Sequence, residues 1–204
     1  MALFVRDVVG LEVPPASVNP PRLDGDLPDH SPRYDSELRV AAGAFWIGWW
    51  QEVLALDVRQ HQGTPDGVDQ AAWFRERAAE FQAVFDPPAF TALAGRPELG
   101  EVVRATFEEA LDWADGRRRE LLIPPVGQPG QFDYDTVREV AEETVRSHEV
   151  SPGAVRACAV VLPVEGIWWH RFAPGVVLAS VKAARDPAVA RSVLAEAFET
   201  GLAL

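Results

Sequence analysis

A chain of 204 residues with a single cysteine, Cys158, cannot form an intrachain disulfide, and it is long enough to bury about 70% of the surface its unfolded form exposes without one. Its formal net charge of −12 repels phosphate backbones and anionic bilayers, so neither nucleic acid nor a membrane is an expected partner. No basic segment precedes the apolar residues of MALFVRDVVGLEV and no apolar run approaches the roughly 18 residues of a membrane span, so a cytoplasmic location is expected.

Residues 2–9, ALFVRDVV, read as a short strand. Residues 12–34 carry six prolines, which remove amide donors and fix φ, so this stretch is an extended arm, expected to lie as a strap across the protein's own surface. Within it Asp24, Asp26, Asp29 and His30, followed by Asp35, are candidate ligands for a hard divalent cation. Their spacing does not match a calcium loop, because Pro28 falls where a ligand belongs, and aspartates also favour turns for their own backbone hydrogen bonds. No metal or other cofactor is expected.

Ser36 to Val58 holds three of the seven tryptophans. Leu38, Ala42, Phe45, Trp49, Val53 and Leu56 recur at helical spacing, with Ile47, Trp50 and Leu54 beside them, so a long core helix is expected. Gly43 and Gly48 lie inside it, and both read as points of close packing. A loop with His61 follows over 59–69. A second helix is expected over 68–85, on Trp73, Phe74, Phe81 and Phe85, then a short one over 88–94. A third, over 98–118, turns Leu99, Val103, Phe107, Ala110 and Ala114 inward, with Leu111 alongside. Its exterior carries Glu101, Glu108, Glu109, Asp112 and Asp115. Arg117, Arg118 and Arg119 fall at its C-terminal end, where cations complement the helix dipole. Residues 120–123 suggest a short strand, and the prolines and glycines of 124–130 mark a boundary near 132.

Residues 133–204 form a second part. A helix starts near Asp135 or Thr136 and ends near His148. Ala154 to Val164, nearly unbroken in apolar residues, reads as a central strand. Strands over 167–172 and 176–183 follow, joined by Pro174-Gly175, and Asp186-Pro187 opens a last helix that runs to about Gly201. The expected class is therefore α+β and helix-rich: a helical part with a proline-rich arm over 1–132, and an α-β-β-β-α unit on a small antiparallel sheet over 133–204. That element order resembles, in outline, a double-stranded-RNA-binding domain. Such domains grip phosphate with basic residues at the start of the last helix. Here the helix opens Asp186-Pro187-Ala188-Val189-Ala190-Arg191, and the function is not carried over.

The densest chemistry is Glu165-Gly166-Ile167-Trp168-Trp169-His170-Arg171. A carboxylate, an imidazole and a guanidinium lie beside two indoles, which makes Glu165, His170 and Arg171 the catalytic candidates and Trp168 and Trp169 the ligand-binding candidates. In a strand, Trp169 and Arg171 share one face and Trp168 and His170 the other, so a Glu165–His170 pair needs the Gly166 turn to redirect the carboxylate. No phosphate loop, nucleophile elbow or paired metal-ligand spacing occurs. The function expected from these features is that of a non-catalytic accessory or interaction protein with a protein partner, a basic one given the charge. The alternative is a small-molecule-binding protein or small enzyme with a Trp-lined site around His170.

Overall fold

A computed structural model describes residues 1–61, 69–122 and 132–202. The chain is α+β and helix-rich, and its only sheet among the described residues has three strands. It divides into two units, one of residues 1–15 and 26–114, the other of 16–25 and 115–204, with the division falling inside a helix between Ala114 and Asp115. The 124–130 linker lies outside the described residues, as does most of the 59–69 loop.

The first unit is built around α1 (Ala2–Val9), a helix where the sequence suggests a strand. Valine and phenylalanine favour strands only as residues on a half-buried pleat. Here all eight residues are buried, so no polar face is needed to select the helix. The stop signal is Gly10, whose φ of 68° closes the helix in the left-handed region and returns its chain to Arg6 through the Leu11 amide (2.9 Å). Arg6 and Asp7 are buried as a bidentate pair (2.7 and 3.1 Å), and the Arg6 guanidinium lies 5.3 Å over the Trp46 ring. The Trp46 indole in turn donates to the Ala2 carbonyl (2.9 Å).

α2 (Ser36–His61) is the expected core helix, with Ala42, Trp46, Trp49, Trp50, Leu54 and Leu56 buried. Its buried sector is rotated from the expected row, so that Trp46 is inside while Phe45 is 43% exposed. Gly43 is a packing point: a Cβ there would run into the Glu12 carbonyl. Gly48 is not, since a Cβ there meets nothing within 4 Å. α3 (Gln70–Val84) buries none of its residues, and Phe74 is 57% exposed, so the expected second core helix is peripheral. In place of a helix over 88–94 there is one 3₁₀ turn, Thr91–Leu93. α4 (Pro97–Leu122) turns Leu99, Val102, Val103, Thr106 and Ala110 inward, and it absorbs residues 120–122, where a strand was expected. Phe85, Phe90 and Phe107 form an edge-on aromatic cluster with centroids 5.1–6.1 Å apart.

In the second unit, α5 (Tyr134–His148) is capped by Asp133, whose carboxylate accepts from the Thr136 amide and hydroxyl (2.9 and 3.0 Å). Three strands follow: β1 (Cys158–Leu162), β2 (Trp169–Ala173) and β3 (Val176–Ser180). Their order is β1-β3-β2, with β1 parallel and β2 antiparallel to β3. The sheet is therefore mixed rather than an antiparallel meander, and the central strand is β3, all five residues buried, rather than 154–164. Residues 163–168 carry the chain past the end of β3. Ser180, fully buried there, pins them: its hydroxyl donates to the Gly166 carbonyl (2.9 Å) and accepts from the Trp168 amide (3.1 Å). The same oxygen accepts from the Ala183 amide (3.0 Å) and so caps α6 (Val181–Arg185), a short helix where the strand was expected to continue. α7 (Pro187–Thr200) starts as read, with the Asp186 carboxylate accepting from the Ala188 and Val189 amides. Val193 and Ala197 of α7 pack on Val177 and Ala179.

The proline-rich arm is tied down by backbone hydrogen bonds within each unit. The Glu12 amide donates to the Arg39 carbonyl and the His30 amide to the Val8 carbonyl. In the second unit the Asp24 amide donates to the Pro163 carbonyl and the Glu165 amide to the Arg22 carbonyl, around a buried Leu23.

Candidate functional site

The seven residues from Glu165 to Arg171 begin in the 163–168 connection and end in β2. Gly166 turns at φ 71°, and Glu165 is exposed, its amide held by Arg22. His170 pairs in register with Leu178 and is half-buried. Its ring stacks against Trp168 with centroids 6.4 Å apart and planes 15° from parallel. Burial, and then the Arg171 guanidinium, hold the His170 imidazole below its ordinary pKa. Arg171 is on the other face, where it donates to the Glu196 carboxylate of α7 (2.7 Å). Trp169 shares that face and is 39% exposed, and Ile167 before it is 59% exposed. Among the described residues no hydrogen bond links Glu165 to His170. The structure thus joins Trp168 to His170 and Arg171 to Glu196, and among the described residues His170 has no carboxylate partner. Glu196, the partner of Arg171, is missing from the sequence reading, because a contact over 25 residues between a strand and a helix leaves no local signal.

The acidic stretch of the arm is engaged in structural bonds. In the second unit Asp24 pairs with Lys182 (3.7 Å), while its carbonyl accepts from Arg117 (3.0 Å). In the first, Asp29 accepts from the Ser31 amide and hydroxyl (3.0 and 2.6 Å), and Asp26 is exposed. His30 is buried and bonded to Glu109 of α4 at 2.7 Å. Among the described residues no three His, Cys, Asp or Glu side chains converge as metal ligands would. The triple arginine divides its tasks: Arg117 holds Asp24 and Glu120, and Arg118 lies 3.9 Å from Asp115.

A third feature lies on the outer side of α4. Glu101, Glu108 and Asp112 succeed one another at intervals of seven and four, which puts them in one exposed row. None has an ion-pair partner among the described residues, although Arg104 stands a turn from both glutamates. Glu109 beside them is taken by His30. Leu111, which the spacing sets beside the inward row, instead lies on the flank of this exposed row and is 44% exposed. The field of this face reaches Tyr34, whose hydroxyl is pushed above its ordinary pKa first by burial and then, against Arg33, by Glu101 and Glu109.

No protein-family model, curated protein or solved structure matches this chain.

Proposed function

We propose that the protein is a non-catalytic interaction protein that docks a basic protein partner on the exposed face of α4. The observation that carries this reading is the row Glu101, Glu108 and Asp112, uncompensated by any ion pair among the described residues and flanked by the exposed Leu111. Carboxylates without counter-ions raise the encounter rate with a cationic surface, and an apolar side chain among them supplies area that excludes water. The distribution of charge agrees. Of the net −12, residues 133–204 account for −3, so the first 132 residues hold the remaining −9. Capture from native lysate at low ionic strength, with the full chain as bait, should return one stoichiometric basic protein that elutes on raising the salt. Recovery of no stoichiometric binder withdraws the proposal.

A second reading, a small-molecule site at Trp168 and His170, has in its favour the stacked ring pair and an imidazole whose pKa is lowered by burial and then by Arg171. It requires tryptophan fluorescence to shift with some member of a broad metabolite set and His170→Ala to abolish the shift. A flat response throughout leaves only the α4 reading.

A further inference from the structure

β2 is an edge strand, and among the described residues its outer side is a row of backbone groups with no hydrogen-bond partner. The Ser180 amide donates to the Trp168 carbonyl (2.8 Å), so the backbone of Trp168 faces β3. Because direction alternates along a strand, His170 also faces β3, while the amides and carbonyls of Trp169 and Arg171 point away from the sheet. Neither residue has a backbone bond on that side among the described residues. The template is short. A bulge between Arg171 and Ala173, followed by Pro174, ends it. An open edge with exposed Trp169 and Ile167 next to it is a surface that another strand completes.

We infer that the occupant is a second copy of this chain, with β2 paired antiparallel to β2 about a twofold axis at His170. That register is self-complementary. Trp169 of each copy lies directly opposite Arg171 of the other, and the pair exchanges both of its outward amide–carbonyl bonds, so that four bonds form in all. The same register sets a guanidinium against an indole on each side of the axis, a favourable cross-strand pair. The bond to Glu196 uses one guanidinium nitrogen, and a guanidinium stacks on an indole through its face, so the two contacts are compatible. An arginine and a tryptophan two residues apart are what a single strand needs to match itself in reverse. Self-pairing occupies the β2 edge of both copies, so this contact closes at two. Opposed to it is the repulsion of two chains of net charge −12, which makes the association strengthen as salt is added. In this it differs from docking of a basic partner on α4, which salt weakens, and the two ideas can fail separately.

The test is the mass of the purified full chain in solution, followed with protein concentration and salt. The expected mass rises from 22.4 kDa toward twice that value with concentration, and at lower concentration when salt is higher. Arg171→Pro removes one outward amide at a position where an edge strand tolerates proline. It should weaken dimerisation by about tenfold or more while the circular dichroism spectrum and melting temperature are kept. The register is read by cross-linking. With Cys158→Ser as background, His170→Cys puts two thiols on the axis in a non-hydrogen-bonded pair, where Cα atoms lie about 4.5 Å apart and a disulfide closes readily. Ile167→Cys in the same background should cross-link far more slowly. A monomer at every concentration and salt overturns the inference. So does a dimer that Arg171→Pro leaves intact and His170→Cys does not trap, which would assign the contact to another surface, such as Val40 and Phe45 of α2. Protection of the Trp169 and Arg171 amides from hydrogen exchange only when a basic partner is added would assign the edge to that partner and overturn it as well.

Discussion

Two glycines in one helix show how far a residue's meaning depends on what stands opposite it. Gly43 and Gly48 each cost α2 about 1 kcal/mol relative to alanine, and spacing alone does not separate them. Opposite Gly43 lies the Glu12 backbone, and opposite Gly48 lies open space. Gly43→Ala should therefore destabilise by roughly 1–3 kcal/mol, because backbone must move, whereas Gly48→Ala should stabilise by up to about 1 kcal/mol. Denaturant midpoints of the two variants check this, and equal shifts would contradict the contact. His170 gives a prediction in pH. Burial, and Arg171 after it, lower its folded pKa below the ordinary 6.5, so the unfolded chain takes up the proton first. Its contribution to stability is complete above that value and is lost as pH falls below it. His170→Gln should flatten the decline in unfolding midpoint between about pH 7 and pH 5 relative to the parent. An unchanged profile would mean that the imidazole is not held neutral by its surroundings.

At the scale of elements, the pivot of the second unit is Ser180, where β3 ends, α6 begins and the 163–168 connection is fastened. Ser180→Ala removes a fully buried hydroxyl and leaves the Trp168 and Ala183 amides and the Gly166 carbonyl without that partner, and should cost about 1–3 kcal/mol. Ser192→Ala, on the exposed side of α7, should stay within about 0.5 kcal/mol. Similar losses for both would deny Ser180 this role. The long helices were legible as helices because their signals are local: the apolar spacing along α2 and α4 and the Asp186-Pro187 start of α7 each lie within one element, while the buried faces differ in part, with Phe45 of α2 and Leu111 of α4 exposed. The rest is decided by partners distant in sequence. The Val176–Ser180 run and the 154–164 run look alike as apolar stretches, and only pairing makes the first central and leaves the second at an edge. α1 reads as a strand in sequence because complete burial erases the polar face that would reveal helical period, and only Gly10 marks its end. Of the candidate site, the separation of Trp169 and Arg171 from Trp168 and His170 followed from strand alternation. The Arg171–Glu196 and His30–Glu109 bonds did not, each joining elements that sequence places far apart.

For the whole molecule, the acidic charge is unevenly used. Arginines neutralise carboxylates in several places: Arg191 with Glu139 and Glu143, Arg96 with Glu52, and Arg171 with Glu196. Such exposed pairs contribute little to stability, roughly 0–1 kcal/mol each. Among the described residues none of these pairs reaches Glu101, Glu108 or Asp112 of α4. No helix among the described residues is long and apolar enough to cross a membrane. Charge is thus the determinant to remove while the fold is kept. The triple variant Glu101→Gln, Glu108→Gln, Asp112→Asn takes the net charge from −12 to −9 at exposed positions, and should leave the melting temperature almost unchanged. The most direct measurement is retention of the captured partner by the parent chain and by this variant across a series of salt concentrations. The proposed function predicts tight retention by the parent at low salt, a steady loss as salt rises, and loss by the variant at low salt already. Equal retention by both chains, independent of salt, would contradict it.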